Sequence, residues 1–327
     1  MQTKCAKVRR RVTLLFALVL GVLLALLLGG CQGAQEKQNS SETGGYEVKD
    51  VQGQVLKLPR KPQRIVTLAL SSDEMALAML PAQRLAALHY LADDPGISTE
   101  AAKAQAVTAR LRDYNVEQLL SLQPDLVLAP DWNRQELIQT LRDAGLPVVV
   151  TKGPSSVAEV KEALQQIALA AGEPQAGQKL IEQMELEMAD IAAKVQNIPQ
   201  AQKKTVVLIS HMASYGGKGS LFDNMCRDAG VINGAAAVGL GKNDALTKEA
   251  IVAANPDVIL VPTWTKGNLD VDQVRQELLH DPALQSVKAI REKRLVQVSD
   301  AYLYCAAQDI TKGIRGIAMA AYPERFE

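Results

Sequence analysis

The chain of 327 residues is short of aromatic side chains, which make up 4%, with only two Trp and three Phe. A position filled by Trp is therefore informative in itself. Histidine is scarcer still, at residues 89, 211 and 280 alone, and neither these His nor the four Cys show a metal-ligand spacing. No metal and no cofactor is expected. There is no basic excess either: five of the 36 Lys and Arg lie before residue 12, and no acid precedes Glu36, so the remainder carries a net charge of five negatives. That balance excludes the basic footprint of a nucleic-acid partner. Catalytic motifs are missing as well, with no G-x-S-x-G, no G-x-x-x-x-G-K-[ST] and no G-x-G-x-x-G after a strand. Gly216-Gly217-Lys218-Gly219-Ser220 has the glycines of a phosphate cradle without its spacing. An enzyme is not expected, and an exported α/β enzyme is the alternative from another class.

What is present begins with a basic leader, Lys4, Lys7, Arg9, Arg10 and Arg11, followed by the apolar run Val12 to Leu28. This reads as an export signal. Leu28-Gly29-Gly30-Cys31 resembles the lipobox at which bacterial prolipoproteins are diacylated and cleaved, which implies lipidation of Cys31 and two acyl chains in the membrane. A retained transmembrane anchor is the alternative, because 17 apolar residues approach the ~20 needed to span. The polar stretch Gln32 to Gly45 reads as a tether. Of the other cysteines, Cys226 and Cys305 are compatible with a disulfide or with two buried thiols.

An internal repeat sets the architecture. Asn115 to Trp132 (NVEQLLSLQPDLVLAPDW) recurs as Thr247 to Trp264 (TKEAIVAANPDVILVPTW), with six identities in eighteen positions and a constant offset of 132. Each copy is an amphipathic helix headed by Glu, a break at Pro-Asp, and a short apolar run that reads as a buried parallel strand. Further strands are expected at Arg64 to Leu68, Pro147 to Val150, Thr205 to Ile209 and Arg294 to Val298. Pro174 to Val195 carries apolar residues at steps of three and four behind a Pro start, a helix of roughly 33 Å at about 1.5 Å per residue. The expected fold is α/β, two Rossmann-like lobes with parallel sheets joined by a long rigid helix. The expected division is signal peptide 1–30, tether 31–45, N-terminal lobe 46–170, inter-lobe helix 171–198 and C-terminal lobe 199–327.

Several segments in this order resemble the helical-backbone (class III) substrate-binding lipoproteins of ABC importers, which serve iron-siderophores, cobalamin and haem. They are Val48 to Gly53, Lys61 to Val66, Ser72-Asp73-Glu74, Asn115-Val116-Glu117 with its Pro-Asp strand, and Gly219-Ser220-Leu221-Phe222. Ala229-Gly230 before Asn233, Glu249 with Asn255-Pro256-Asp257, and terminal Tyr322-Pro323-Glu324-Arg325-Phe326 complete the set. The resemblance implies capture of a chelated-metal small molecule between the lobes and delivery to a permease dimer with its ATPase subunits. It also implies that Glu117 and Glu249 dock on that permease; the alternative is that each only complements its helix dipole.

Ligands of doubly wound sheets bind beyond the carboxyl ends of the strands. On that rule the candidate wall comprises Ser71, Ser72, Tyr90, Arg112, Trp132, His211, Tyr215, Trp264, Asp300, Tyr302 and Tyr304. Trp132 and Trp264 each follow the Pro that ends a repeat strand, which favours exposure at the rim, the alternative being plugs against their sheets. Ser72 is equally explained as a helix N-cap. The resemblance implies an Arg before Asn115, for which Arg110 and Arg112 compete, and the alternative for either is a solvated side chain. Corrinoid and ferric siderophore are level as ligands, with haem third.

Overall fold

Apolar runs bounded by Pro, Gly and Asp become two separate parallel sheets. The computed structural model describes residues 45–210, 216–265, 270–304 and 306–327. In the N-terminal half the strands are β3 (Ile65–Thr67), β4 (Leu85–His89), β5 (Arg110–Leu111), β6 (Leu126–Pro130) and β7 (Val148–Thr151), ordered β5-β4-β3-β6-β7. In the C-terminal half they are β8 (Thr205–Leu208), β9 (Ile232–Asn233), β10 (Val258–Val261) and β11 (Leu295–Gln297), ordered β11-β10-β8-β9. All pairings within both sheets are parallel. β1 (Tyr46–Lys49) and β2 (Val55–Leu58) form an antiparallel hairpin ahead of them. The fold is therefore α/β with parallel sheets, as expected.

The repeated Pro-Asp turns out to be a sheet clamp. Gln123 and Asn255, just before the Pro, both take left-handed φ, 47° and 42°. The following carboxylates then cap the neighbouring strand: Asp125 accepts from the amides of Gln63 and Arg64 at 2.8 and 2.7 Å, and Asp257 from Thr205 at 2.9 Å. Each clamp fixes where a central strand begins.

The long helix runs Pro174–Val195, the span its periodicity predicts. It packs against Val157–Ala170 in one half and Ile310–Ala321 in the other, approaching the former so closely that a β-carbon on Gly177 would meet that of Ala168 at 2.4 Å. Met184, Ile191 and Val195 belong to one apolar cluster with Leu77, Leu164, Phe222 and Ile314, residues of both halves. On the outer faces each sheet keeps a private cluster, around Val127 and Ile138 in the first and Ile259 and Ile290 in the second. One core thus runs through both halves. Removing Met184 from it should cost about 2–5 kcal/mol.

Cys226 is a free thiol, 1% exposed in that shared core; Cys305, the other half of the disulfide alternative, lies outside the described residues. Burial pushes the Cys226 thiol well above its ordinary pKa, as expected of a packing residue rather than a nucleophile. Among the described residues no helix is long and apolar enough to cross a membrane; the leader, Cys31 and the tether lie outside them.

Candidate functional site

The parallel order puts the ends of β5 and β6 on the same edge of the first sheet, and a cavity of about 470 Å³ opens there. Arg112, Tyr114, Trp132, Asn133, Arg134 and Leu137 line it, with Asp113 and Asn115. Trp132 is held at its mouth by a tied loop: the Asp131 amide donates to Thr151 O at 2.9 Å and the Gly153 amide to Asp131 Oδ1 at 3.0 Å. The indole lies against Gly153, where a β-carbon would meet the ring at 2.1 Å. Much of the indole nevertheless stays open to solvent, Trp132 being 61% exposed. Asn133 is buried behind it, and its Oδ1 has no hydrogen-bond partner among the described residues.

The two competing arginines separate cleanly. Arg110 donates to the carbonyls of Ala104, Val107 and Ala109 and pairs with Asp93 at 3.1 Å, a strut for the loop before β5. Arg112 is exposed, and its guanidinium sits 4.0 Å above the Tyr90 ring. Neither Arg112 nor Arg134 has an ion-pair partner among the described residues. With Asp113, the cavity lining carries a net single positive charge. Beside Tyr90, burial and then the Arg112 charge lower the pKa of His89. Its Nδ1 accepts from the Leu91 amide at 3.3 Å.

Trp264 does not match its repeat partner in environment. It is 6% exposed, so the expectation of a rim-exposed indole is corrected. Its ring crosses to the N-terminal half, donates from Nε1 to Asp94 Oδ2 at 2.8 Å, and lies where a β-carbon on Gly96 would be 2.4 Å away. Asp300 is also corrected as a wall residue. It is fully buried and accepts from the amides of Thr263 and Trp264 at 2.9 and 2.7 Å, so it sets the indole's position. Ser72 is 3% exposed inside helix Leu70–Met79, whose N-cap is Ala69, so it neither caps that helix nor offers much surface; Ser71 beside it is half-buried. Tyr302 is half-buried with the Lys312 ammonium 5.7 Å from its ring, and Tyr304 donates to Ser210 Oγ at 2.6 Å. Ser210 lines a smaller cavity of about 210 Å³ at the end of β8. His211 and Tyr215 lie outside the described residues.

The acids behind the first helix are structural. Asp73 accepts from Thr67 Oγ1 and from the His89 amide, joining the ends of β3 and β4, and burial pushes its carboxyl well above the usual range. Glu74 holds the Thr99 amide at 2.8 Å. Glu117 and Glu249 are exposed in the first turns of helices Val116–Ser121 and Lys248–Ala254, which Asn115 and Thr247 cap. Sequence reasoning missed Asp94, Gly96, Asn133 and Arg134. Asn133 and Arg134 directly follow a repeat Trp, which is a usable signal; Asp94 and Gly96 carry none beyond a polar loop.

Comparison with known proteins agrees with this geometry. Residues 65–302 match the model of the periplasmic binding protein family, and the chain belongs to that family. It is 25% identical over 317 residues to YvrC of Bacillus subtilis, named as an uncharacterized ABC transporter substrate-binding lipoprotein, covering 94% of this chain and 96% of that protein. Among solved structures, the periplasmic heme-binding protein RhuT from Roseiflexus superposes with a TM-score of 0.67 at 25% identity, over 80% of this chain and 99% of that one. The molybdate-binding protein MolA of Haemophilus influenzae shares the fold, with a TM-score of 0.72 at 19% identity over 86% and 92% of the two chains. The protein is an extracytoplasmic substrate-binding component of an ABC transporter and not an enzyme, and its relatives work with a permease.

Proposed function

We propose that the protein is a lipoprotein, anchored through Cys31, that captures a metal chelate with an anionic periphery and delivers it to its permease through Glu117 and Glu249. The observation that carries the ligand class is the cavity past β5 and β6, where an open indole, Trp132, stands with Arg112 and Arg134, two cations that no acid neutralises by an ion pair among the described residues. A flat apolar wall with flanking cations suits a ferric siderophore, whose chelating arms leave negative charge at the edge. A corrinoid is the second reading, favoured by the same open indole. Tyr90 backs Arg112 in this site, while Trp264 and Asp300 hold the opposite half in place.

The test is calorimetric and absorbance titration of the purified protein with a ferric catecholate siderophore, cobalamin, hemin and molybdate. Tightest binding of the ferric siderophore, with at least tenfold loss in Arg112→Ala, is the expected result. Preference for cobalamin, unaffected by Arg112→Ala, would replace the first reading by the second, and binding of none of the four would remove both.

A further inference from the structure

Seven large apolar side chains are exposed on the described surface, and single exposed apolar residues are ordinary. Two of the seven are related by the internal repeat. Leu120 is 37% exposed and Val252 38%, and their numbers differ by 132, the offset that also relates Glu117 to Glu249. Each lies three residues past its Glu on the same short helix, so acid and aliphatic group are neighbours on one helix face. Leu119 and Ile251, one position earlier, point inward at 0% and 4% exposure. The repeat therefore reproduces the buried anchor of each helix and also an outward pair of one carboxylate and one aliphatic group. Core packing explains the first; in the second, the Glu249 carboxylate also serves its own helix start through a hydrogen bond with Thr247, whereas the two exposed aliphatic groups gain nothing from core packing.

We infer that Glu117 with Leu120, and Glu249 with Val252, form two copies of one composite docking surface for the permease, each engaging a cationic side chain set in an apolar rim on one half of a two-fold membrane partner. The inference rests on the docking reading above and adds the apolar component to it. Internal repetition identifies the occupant, because a surface offered twice by related elements fits a partner that presents the same pocket twice. The carboxylates govern encounter and its salt dependence, whereas the aliphatic groups, insensitive to salt, lengthen the bound lifetime.

The test is association of the full-length protein with its own permease–ATPase complex in nanodiscs, followed by interferometry at low and at half-molar salt. Leu120→Gln with Val252→Gln should weaken association at least tenfold, mainly by faster dissociation, at both salt concentrations. Ligand affinity and melting temperature should not change. Should the Gln pair unfold, Leu120→Ala with Val252→Ala should give a smaller loss of the same kind. Glu117→Ala with Glu249→Ala should slow association at low salt. Wild-type association by both aliphatic pairs, with loss in the acidic pair, would overturn the composite surface and keep acidic docking. Wild-type association by all pairs would overturn the docking reading itself. A dimer of this chain in sedimentation that the aliphatic pair abolishes would assign the surface to self-association, also against the proposal.

Discussion

Trp132 and Trp264 occupy the same position of the repeat, follow the same Pro, and each rests against a glycine, yet one is 61% exposed and the other 6%. The difference lies in which glycine. Gly153 follows β7 in the same half as Trp132, so that indole stays folded over its own sheet edge with much of it open to solvent. Gly96 belongs to the half opposite Trp264, so that indole spans the gap and finishes on Asp94. The same repeat position thus supports two different environments, an exposed indole on one side and a tie between halves on the other.

The largest expected effect is on stability. Trp264→Ala should destabilise by about 3–5 kcal/mol in urea unfolding, the cost of emptying a buried aromatic site, while Trp132→Ala should shift it by no more than about 0.5 kcal/mol. Equal losses would erase the distinction between tie and wall. Next, Gly96→Ala should cost about 1–3 kcal/mol, because the new methyl overlaps a ring that is buried and hydrogen-bonded. Gly153→Ala should cost less, since the exposed indole can swing away. A larger loss at Gly153 would show that Trp132 is the more tightly held of the two.

The arginines sharpen the same contrast within one loop. Arg110→Ala should lower stability by about 1–3 kcal/mol, leaving the carbonyls of Ala104, Val107 and Ala109 unpaired. Arg112→Ala should leave melting near wild type and weaken ligand binding instead. Melting curves and calorimetric titrations of both variants distinguish the roles.

The smallest effect concerns the repeat's clamps. Burial acts to raise the Asp257 pKa, but the Lys288 hydrogen bond at 2.6 Å and the Thr205 amide outweigh it and hold the carboxyl below the usual range. A depressed folded value means stability that is present above the unfolded value of about 3.9 and lost as pH falls through the folded one. Asp257→Asn should therefore be less stable at neutral pH and show a shallower loss on acidification, read from unfolding curves between pH 6 and 3. An unchanged acid slope would remove Asp257 from the acid response.

The sequence made the scaffold legible where a single element carries its own signal. Strands β3, β6, β7, β8, β10 and β11 fall within about a residue or two of their apolar runs, because each grows from a contiguous apolar segment. The two-residue strands β5 and β9 left no run to see. Of the residues expected at strand ends, Trp132 and Arg112 line the cavity past β5 and β6, and Tyr90 lies under the Arg112 guanidinium. The burial of Trp264 was not legible, since it depends on a missing β-carbon at Gly96, a residue that only the folded chain brings near. Asp300 misled for a similar reason: a carboxylate at a strand end can face solvent or clamp backbone amides, and the two Thr263–Trp264 amides decided it.

The most direct measurement is the calorimetric affinity of the Trp132→Ala protein for a ferric siderophore, alongside its melting temperature. Removal of an anchoring indole should reduce affinity by about 5- to 150-fold, or about 1–3 kcal/mol, with melting unchanged. Wild-type affinity in that variant would contradict the placement of the ligand against the open wall past β6.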